Sequence, residues 1–205
     1  MKIGIIGAGN VGQKLGGLIK NGGHEIVFGT QNPANRNVEG SEVLSIQEAI
    51  DFADIVIFAI PFTAYNSLLP KLKDSLSGKI VIDVTNPLNE DWSPLLLGAE
   101  DSGGEMVVRM LPDSRVVKAF NTIFADIMTP EGLNRNGHKV TAFIAGNDEQ
   151  AVEAVRGLAV DMGCAPVVAG SIKNARYFEA IAHLNIQLAV VQGGGTNAAF
   201  VYFQG

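Results

Sequence analysis

Apolar, β-branched runs alternate with amphipathic stretches along most of the chain, the pattern of strands joined by crossover helices into a parallel sheet. The run Lys2-Ile3-Gly4-Ile5-Ile6 predicts a buried strand. It passes straight into Gly7-Ala8-Gly9-Asn10-Val11-Gly12, then into a helix with apolar positions Val11, Leu15, Leu18 and Ile19, stopped by Asn21-Gly22-Gly23. His24 to Phe28 predicts the second strand, and Gly29 to Gly40, with Pro33 and three asparagines, a polar loop. Ser45-Ile46-Gln47-Glu48 has capping-box spacing and opens a short helix through Ala53. Asp54 to Ile60 is a continuous apolar strand ended by Pro61. Thr63 to Leu76 predicts a helix stopped at Gly78, and Ile80 to Val84 a buried strand leading into Thr85-Asn86-Pro87.

The stretch Leu88 to Pro112 is the least regular. It holds the single tryptophan, Trp92, and one helix around Gly104 to Leu111. Val116 to Phe120 predicts a strand that delivers Asn121-Thr122. Val140 to Ala145 predicts another, after which Gly146-Asn147-Asp148-Glu149 caps a helix through Met162. Pro166 to Ala169 reads as a short last strand. Ala175 to Val191 reads as a long, mostly apolar helix before Gly193-Gly194-Gly195. No repeat or low-complexity linker interrupts this order. The expected architecture is an α/β, Rossmann-type doubly wound, mostly parallel sheet with a small C-terminal α/β extension ending in a long helix. Residues 1–205 are read as a single dinucleotide-binding domain, with 1–145 as its core and 146–205 as an extension that completes the site.

Composition narrows the function classes. The chain has 205 residues, 47% of them hydrophobic and 18% charged, with a net charge of −6 and no basic block. That balance argues against nucleic acid or an anionic membrane as a partner. No apolar run is long enough to span a bilayer and the first strand lacks a signal peptide's features, so a cytoplasmic protein is expected. A single cysteine, Cys164, excludes an internal disulfide and a cysteine-rich metal site, and its apolar setting suits a buried, inert thiol. His24 and His138 have no companions at metal-ligand spacing, so no metal is expected.

The glycine-rich turn carries the strongest chemical signal, because it lies between a strand and a helix. Gly7 permits the tight turn, Gly9 lets the backbone approach a pyrophosphate, and Gly12 lets the helix pack on the strand. Ala8, Asn10 and Val11 complete the anion-facing turn at the helix start. An NAD enzyme usually carries an acid at the end of the second strand, about 20 residues past the first glycine. Here stand Thr30, Gln31 and Asn32, with no acid before Glu39, and Arg36 is available as a cation. The pattern favours NADP(H) over NAD.

Three strand ends should share the ligand-binding rim: Ile60-Pro61-Phe62, Thr85-Asn86-Pro87 and Phe120-Asn121-Thr122-Ile123. Asn86 and Asn121 suit a carboxamide, and Phe62 and Thr122 a second substrate. Arg176, Glu179 and His183 share one face of the last helix, where they meet either a substrate or each other. Arg176 and His183 are placed on the second-substrate rim. No nucleophile–base arrangement is recognisable, so no catalytic side chain is assigned.

Taken together, Gly7 to Gly12 with Gly16, Gly29-Thr30, Ile60-Pro61, Val117 to Ile123, Ala145 to Glu149, Gly170-Ser171 and the helix with Arg176 and Glu179 resemble the NADPH-dependent coenzyme F-420 reductase family. The Lys118-Ala119-Phe120-Asn121-Thr122 segment is also similar to the cytoplasmic domain of STEAP-type ferric reductases. The resemblance covers nearly the whole chain. It implies a hydride passing between the nicotinamide C4 and the C5 of a deazaflavin, coenzyme F-420, or of a flavin-like ring. The family often has Ser-Arg where this chain has Thr30-Gln31, which leaves Arg36 to supply the cation. Two other readings remain open: an NADPH-dependent reductase of a small carbonyl or imine, using His183 or Tyr177 as proton donor, and a non-catalytic NADP-sensing protein. The apolar last helix and Ala198 to Tyr202 point to a homodimer.

Overall fold

The first strand, β1 (Lys2–Ile6), pairs in parallel with β2 (Glu25–Thr30) on one side and with β4 (Ile55–Phe58) on the other. Between β1 and β2 runs α1 (Asn10–Asn21), and α2 (Ile46–Phe52) follows the edge strand β3 (Glu42–Ser45). The chain then adds α3 (Tyr65–Leu72), β5 (Ile80–Asp83), α4 (Gly103–Met110) and β6 (Arg115–Ala119). A two-stranded ribbon of β7 (Asn134–Arg135) and β8 (His138–Lys139) precedes β9 (Thr141–Gly146), α5 (Glu149–Asp161), β10 (Ala165–Val168) and α6 (Ala175–Ile186). The computed structural model describes residues 1–98 and 100–204.

The main sheet has eight strands in the order β10-β9-β6-β5-β4-β1-β2-β3. From β1 the chain winds outward through β2 and β3, then crosses back to β4, so its direction reverses between β1 and β4. In open α/β sheets ligands bind outside the carboxyl ends of the strands at such a reversal. Strands β1 to β6 run parallel; β9 runs antiparallel to β6, and β10 follows β9. The carboxyl ends of β9 and β10 therefore lie at the edge opposite the rim. The expected doubly wound, mostly parallel sheet is present.

Both faces are covered. Ile3, Ile5, Ile55, Ile57, Ile80, Ile82, Val117 and Ile144 pack with Leu15 and Ile19 of α1 and Val155 and Leu158 of α5. The alternate positions Ile6, Val56, Phe58, Val81 and Val116 pack with Ala49 and Ile50 of α2, Leu69 of α3 and Val107 of α4. This is the period-two alternation of strands buried on both faces. Cys164 is 2% exposed, and burial pushes its thiol up to about 12, consistent with an inert role.

The structure adds one strand, shortens one expected helix and details the expected long last helix. Part of the polar segment after Gly40 forms β3, whose register sets Val27 against Glu42 and Thr30 against Ser45. An edge strand needs only one paired side, so Glu42 can face water. The helix expected over 63–76 is a 3₁₀ turn at Phe62–Ala64 followed by α3, which is shorter. The long last helix is α6 continued by a π-helical turn at Gln187–Val191, where the Gln192 N–H donates to the Gln187 carbonyl. The capping box at Ser45 forms with both halves in place. No helix among the described residues is long and apolar enough to cross a membrane.

Candidate functional site

The turn after β1 sits at the crossover reversal, and its three glycines answer to different contacts. Gly7 has φ +112, its N–H donates to the Gly29 carbonyl at 3.0 Å, and a Cβ there would lie 2.3 Å from the Ala59 oxygen. A Cβ at Gly12 would lie 2.1 Å from the Gly7 oxygen. Both positions are closed by the protein's own backbone. Gly9 differs: its φ of −82 and ψ of −174 suit any residue, and a Cβ there would meet nothing within 4 Å. Nothing in the protein requires glycine at position 9, so its need for room points outward, to a ligand that approaches the backbone. The Gln13 side chain donates to the Ala8 carbonyl at 2.9 Å and braces the turn.

At the end of β2, one strand over, the Thr30 hydroxyl oxygen is buried without a hydrogen-bond partner among the described residues. Gln31, Asn32 and Arg36 lie exposed beyond it. Among the described residues the Arg36 guanidinium makes no ion pair, leaving it available to an anion.

Between these ends and α6 opens a cleft of about 890 Å³. Of the expected residues it brings together Gly9, Asn10, Val11, Ile60, Pro61, Phe62, Asn86, Asn121 and Thr122. Gly7, Ala8 and Gly12 form the body of the turn. Phe120, 1% exposed, has φ +63, a left-handed conformation that is unusual for a bulky side chain. Along β6, Val116 and Lys118 face the α3–α4 side, and Val117 and Ala119 the α1 side. Continued alternation would send Phe120 to the α3–α4 side. The positive φ instead places its ring in the α1 and α5 core and turns the next residue, Asn121, to the cleft.

Two amides then lock each other. Asn86 Nδ2 donates to the Asn121 backbone carbonyl at 2.8 Å, and because a carbonyl can only accept, this fixes the orientation of the Asn86 amide. Its Oδ1 accepts from Asn121 Nδ2 at 2.8 Å, which fixes the second amide in turn. Asn121 Oδ1 is left buried with no donor among the described residues. A ligand N–H in the cleft would satisfy it, since a buried unpaired acceptor costs about 1–3 kcal/mol.

Beneath the rim lies a charged cluster that links β5, β6 and α6. The Lys118 ammonium is fully buried and donates to Asp83 Oδ2 at 2.8 Å and to the Thr85 carbonyl at 2.6 Å, and pairs with Glu179 Oε1 at 2.8 Å. Burial alone would lower its pKa; the two carboxylates more than reverse this, so the group is held above its usual range and stays charged. Asp83 Oδ1 accepts from the Thr85 N–H and hydroxyl and from the Tyr65 hydroxyl. Burial and the Asp83 charge raise Tyr65 well above its ordinary pKa. Glu179 also accepts the Gly103 and Gly104 N–H groups at the start of α4. The cluster holds the Thr85–Asn86 turn against α6.

Two expected rim residues are placed elsewhere. Arg176 forms a bidentate pair with Glu105 at 2.7 and 2.8 Å, and it does not line the cleft. His183 Nε2 lies 3.0 Å from the Pro87 carbonyl, behind the wall, and burial lowers its pKa. The helical stripe therefore meets protein groups: α6 has buried partners to satisfy before it can offer anything to a ligand. The cleft face of α6 is formed by Ala182, Asn185 and Ile186, with Val190 from the π-helical turn. Lys118 and Asp83 were missed as structural residues although a signal existed. A lysine within Val116-Val117-Lys118-Ala119 and an aspartate ending Ile80-Val81-Ile82 are charges in buried strands, which must be paired.

The family model for NADP oxidoreductase, coenzyme F-420-dependent, matches residues 2–87, which include the glycine turn, the Pro61 end and the Asn86 turn. The chain is 31% identical over 161 residues to the F-420-dependent NADP reductase of Methanocaldococcus jannaschii, covering 76% of this chain and 71% of that protein. It is 32% identical over 183 residues to metalloreductase STEAP3 of Rattus norvegicus, covering 88% of this chain but only 36% of that protein's length. A solved structure from Arthrobacter sp. FB24, provisionally described as an F-420-dependent NADP-reductase, superposes with a TM-score of 0.88 at 28% identity over the full length of both chains. The chain belongs to the coenzyme F-420-dependent NADP oxidoreductase family.

Proposed function

We propose that this protein is an NADP(H)-binding oxidoreductase that transfers a hydride between the nicotinamide and a planar acceptor, a deazaflavin such as coenzyme F-420 or a flavin-like ring. The observation that supports it best is the pairing of the open space at Gly9 with the donorless Asn121 Oδ1 in one cleft. In this reading Gly7 to Gly12 hold the pyrophosphate. Thr30, Gln31, Asn32 and Arg36 take the adenosine ribose and its 2′-phosphate. Ile60, Pro61, Asn86 and Asn121 orient the nicotinamide, with Asn121 Oδ1 accepting from the carboxamide, and Phe62 and Thr122 face the acceptor. Bound NADPH supplies the hydride. The protein's part is to hold two rings face to face at about 3–3.5 Å and to exclude water, and no side-chain acid is needed for that.

A carbonyl or imine reductase would need a proton donor facing the cleft. Tyr177 is 67% exposed and His183 is turned to Pro87; neither lines the cleft. This favours the ring acceptor. The protein is proposed to act in the cytoplasm and to form a homodimer through Tyr177, Leu184, Leu188 and Val191, which are exposed along one side of α6 and its turn.

The deciding experiment follows NADPH and NADH oxidation by the purified protein with coenzyme F-420, FMN and small imines. Turnover with a ring acceptor and preference for NADPH are expected. Turnover with imines alone would replace this reading with the carbonyl–imine one.

A further inference from the structure

Along α6 the polar side chains that turn inward are engaged one by one. Arg176 is forked onto Glu105, Glu179 is paired with Lys118 and accepts from the first N–H groups of α4, and His183 meets the Pro87 carbonyl. Asn185 is the exception. It is 5% exposed and lines the cleft, and its side-chain amide has no hydrogen-bond partner among the described residues. A buried asparagine inside a helix normally bonds back to a carbonyl one turn earlier or to another side chain. This one does neither. The amide is not closed off from solvent, and the space it lines is the cleft. The other α6 residues on that wall, Ala182 and Ile186, are apolar, so Asn185 is the polar group that the helix presents there. Immediately after it the helix widens into the π-helical turn at Gln187–Val191, a form found often at functional sites.

A side-chain amide carries a donor and an acceptor side by side. The group it fits is an N–H beside a C=O, the edge of a carboxamide or of a cyclic imide. In the reading above the cleft takes two rings with such an edge: the nicotinamide through its carboxamide, and a flavin or deazaflavin through its pyrimidinedione. We propose that Asn185 is a ligand-binding residue whose amide makes paired hydrogen bonds with the N–H/C=O edge of a ring seated in the cleft. The inference rests on that reading and adds to it a specificity residue on α6.

Asn185→Leu removes both hydrogen-bonding groups at similar volume. Because the amide has no partner in the protein, the urea midpoint should not fall. Calorimetry compares NADP⁺ with 2′-phospho-ADP-ribose, which lacks only the nicotinamide. Flavin fluorescence, on the NADP⁺-loaded protein, compares riboflavin with 3-methylriboflavin, whose imide N–H is blocked. The variant is expected to weaken NADP⁺ or riboflavin about tenfold while changing its analogue by less than about twofold. Loss confined to the first pair assigns Asn185 to the carboxamide, and loss confined to the second to the imide edge. Asn185→Ala, which adds no bulk, should give the same pattern and covers a leucine variant that fails to fold. Unchanged affinity for both rings, or equal loss for a ligand and its analogue, overturns the proposal. Hydride transfer to a ring acceptor with kcat/KM and affinities untouched in the variant would remove the Asn185 role and keep the functional reading. Weaker NADP⁺ binding by the variant, with no ring acceptor reduced by the unaltered protein, would do the reverse.

Discussion

Gly9 and Gly12 stand three residues apart in one turn, and a side chain at each should fail in a different way. At Gly12 a Cβ collides with the Gly7 carbonyl at 2.1 Å, a backbone atom that cannot step aside cheaply. Gly12→Ala should therefore lower stability by about 1–3 kcal/mol, as overpacking does, measured as a drop in the urea midpoint. At Gly9 the backbone is ordinary and the space is open, so Gly9→Val should change stability by no more than about 0.5 kcal/mol. The same variant should weaken NADPH binding by about a hundredfold, read by calorimetry, because the side chain occupies the pyrophosphate's place. Retained tight binding in a folded Gly9→Val protein would sink the assignment of the turn. The form of this turn was legible in the sequence, since a strand, three glycines and a helix make a local motif whose geometry depends on few distant residues. The Asn86–Asn121 lock was legible only as two residue types on one rim. Its logic needs the left-handed Phe120, and no periodicity announces a positive φ.

At the scale of elements, α6 is tied to the sheet by charge as much as by apolar contact. Glu179 joins it to Lys118 of β6 and to the first N–H groups of α4, and Arg176 joins it to Glu105 of α4. Lys118→Met would leave two carboxylates, Asp83 and Glu179, buried without their cation. A loss of about 3–5 kcal/mol is expected, visible in the urea midpoint, because breaking a buried pair strands the remaining charge. A drop below about 1 kcal/mol would show that the cluster is not a structural anchor. The sequence placed the helices and inner strands well, because burial on both faces writes continuous apolar runs. It assigned no element to residues 41–44, because an edge strand half in water carries little apolar pattern. It left open whether the α6 stripe meets protein or ligand, since Lys118 and Glu105 are brought to it only by the fold.

At the scale of the whole molecule, the exposed apolar side of α6 calls for a partner surface. Tyr177, Leu184, Leu188 and Val191 are each at least half exposed. Sedimentation at micromolar concentration should show a dimer, and Leu188→Glu should shift it toward monomer. A monomer for the unaltered protein would refute the dimer. The reversal of β9 reaches further still. Because β9 and β10 end at the far edge, the C-terminal part of the chain cannot feed the rim from its strands and supplies a wall through α6 and its π-helical turn instead. The glycine turn and the α6 wall of one cleft are thus built from separate stretches of chain, joined under the floor by Lys118. On the proposed reading such a division makes the site modular: side chains on the cleft side of α6 could be exchanged, and the partner ring with them, without touching the turn that would grip the dinucleotide.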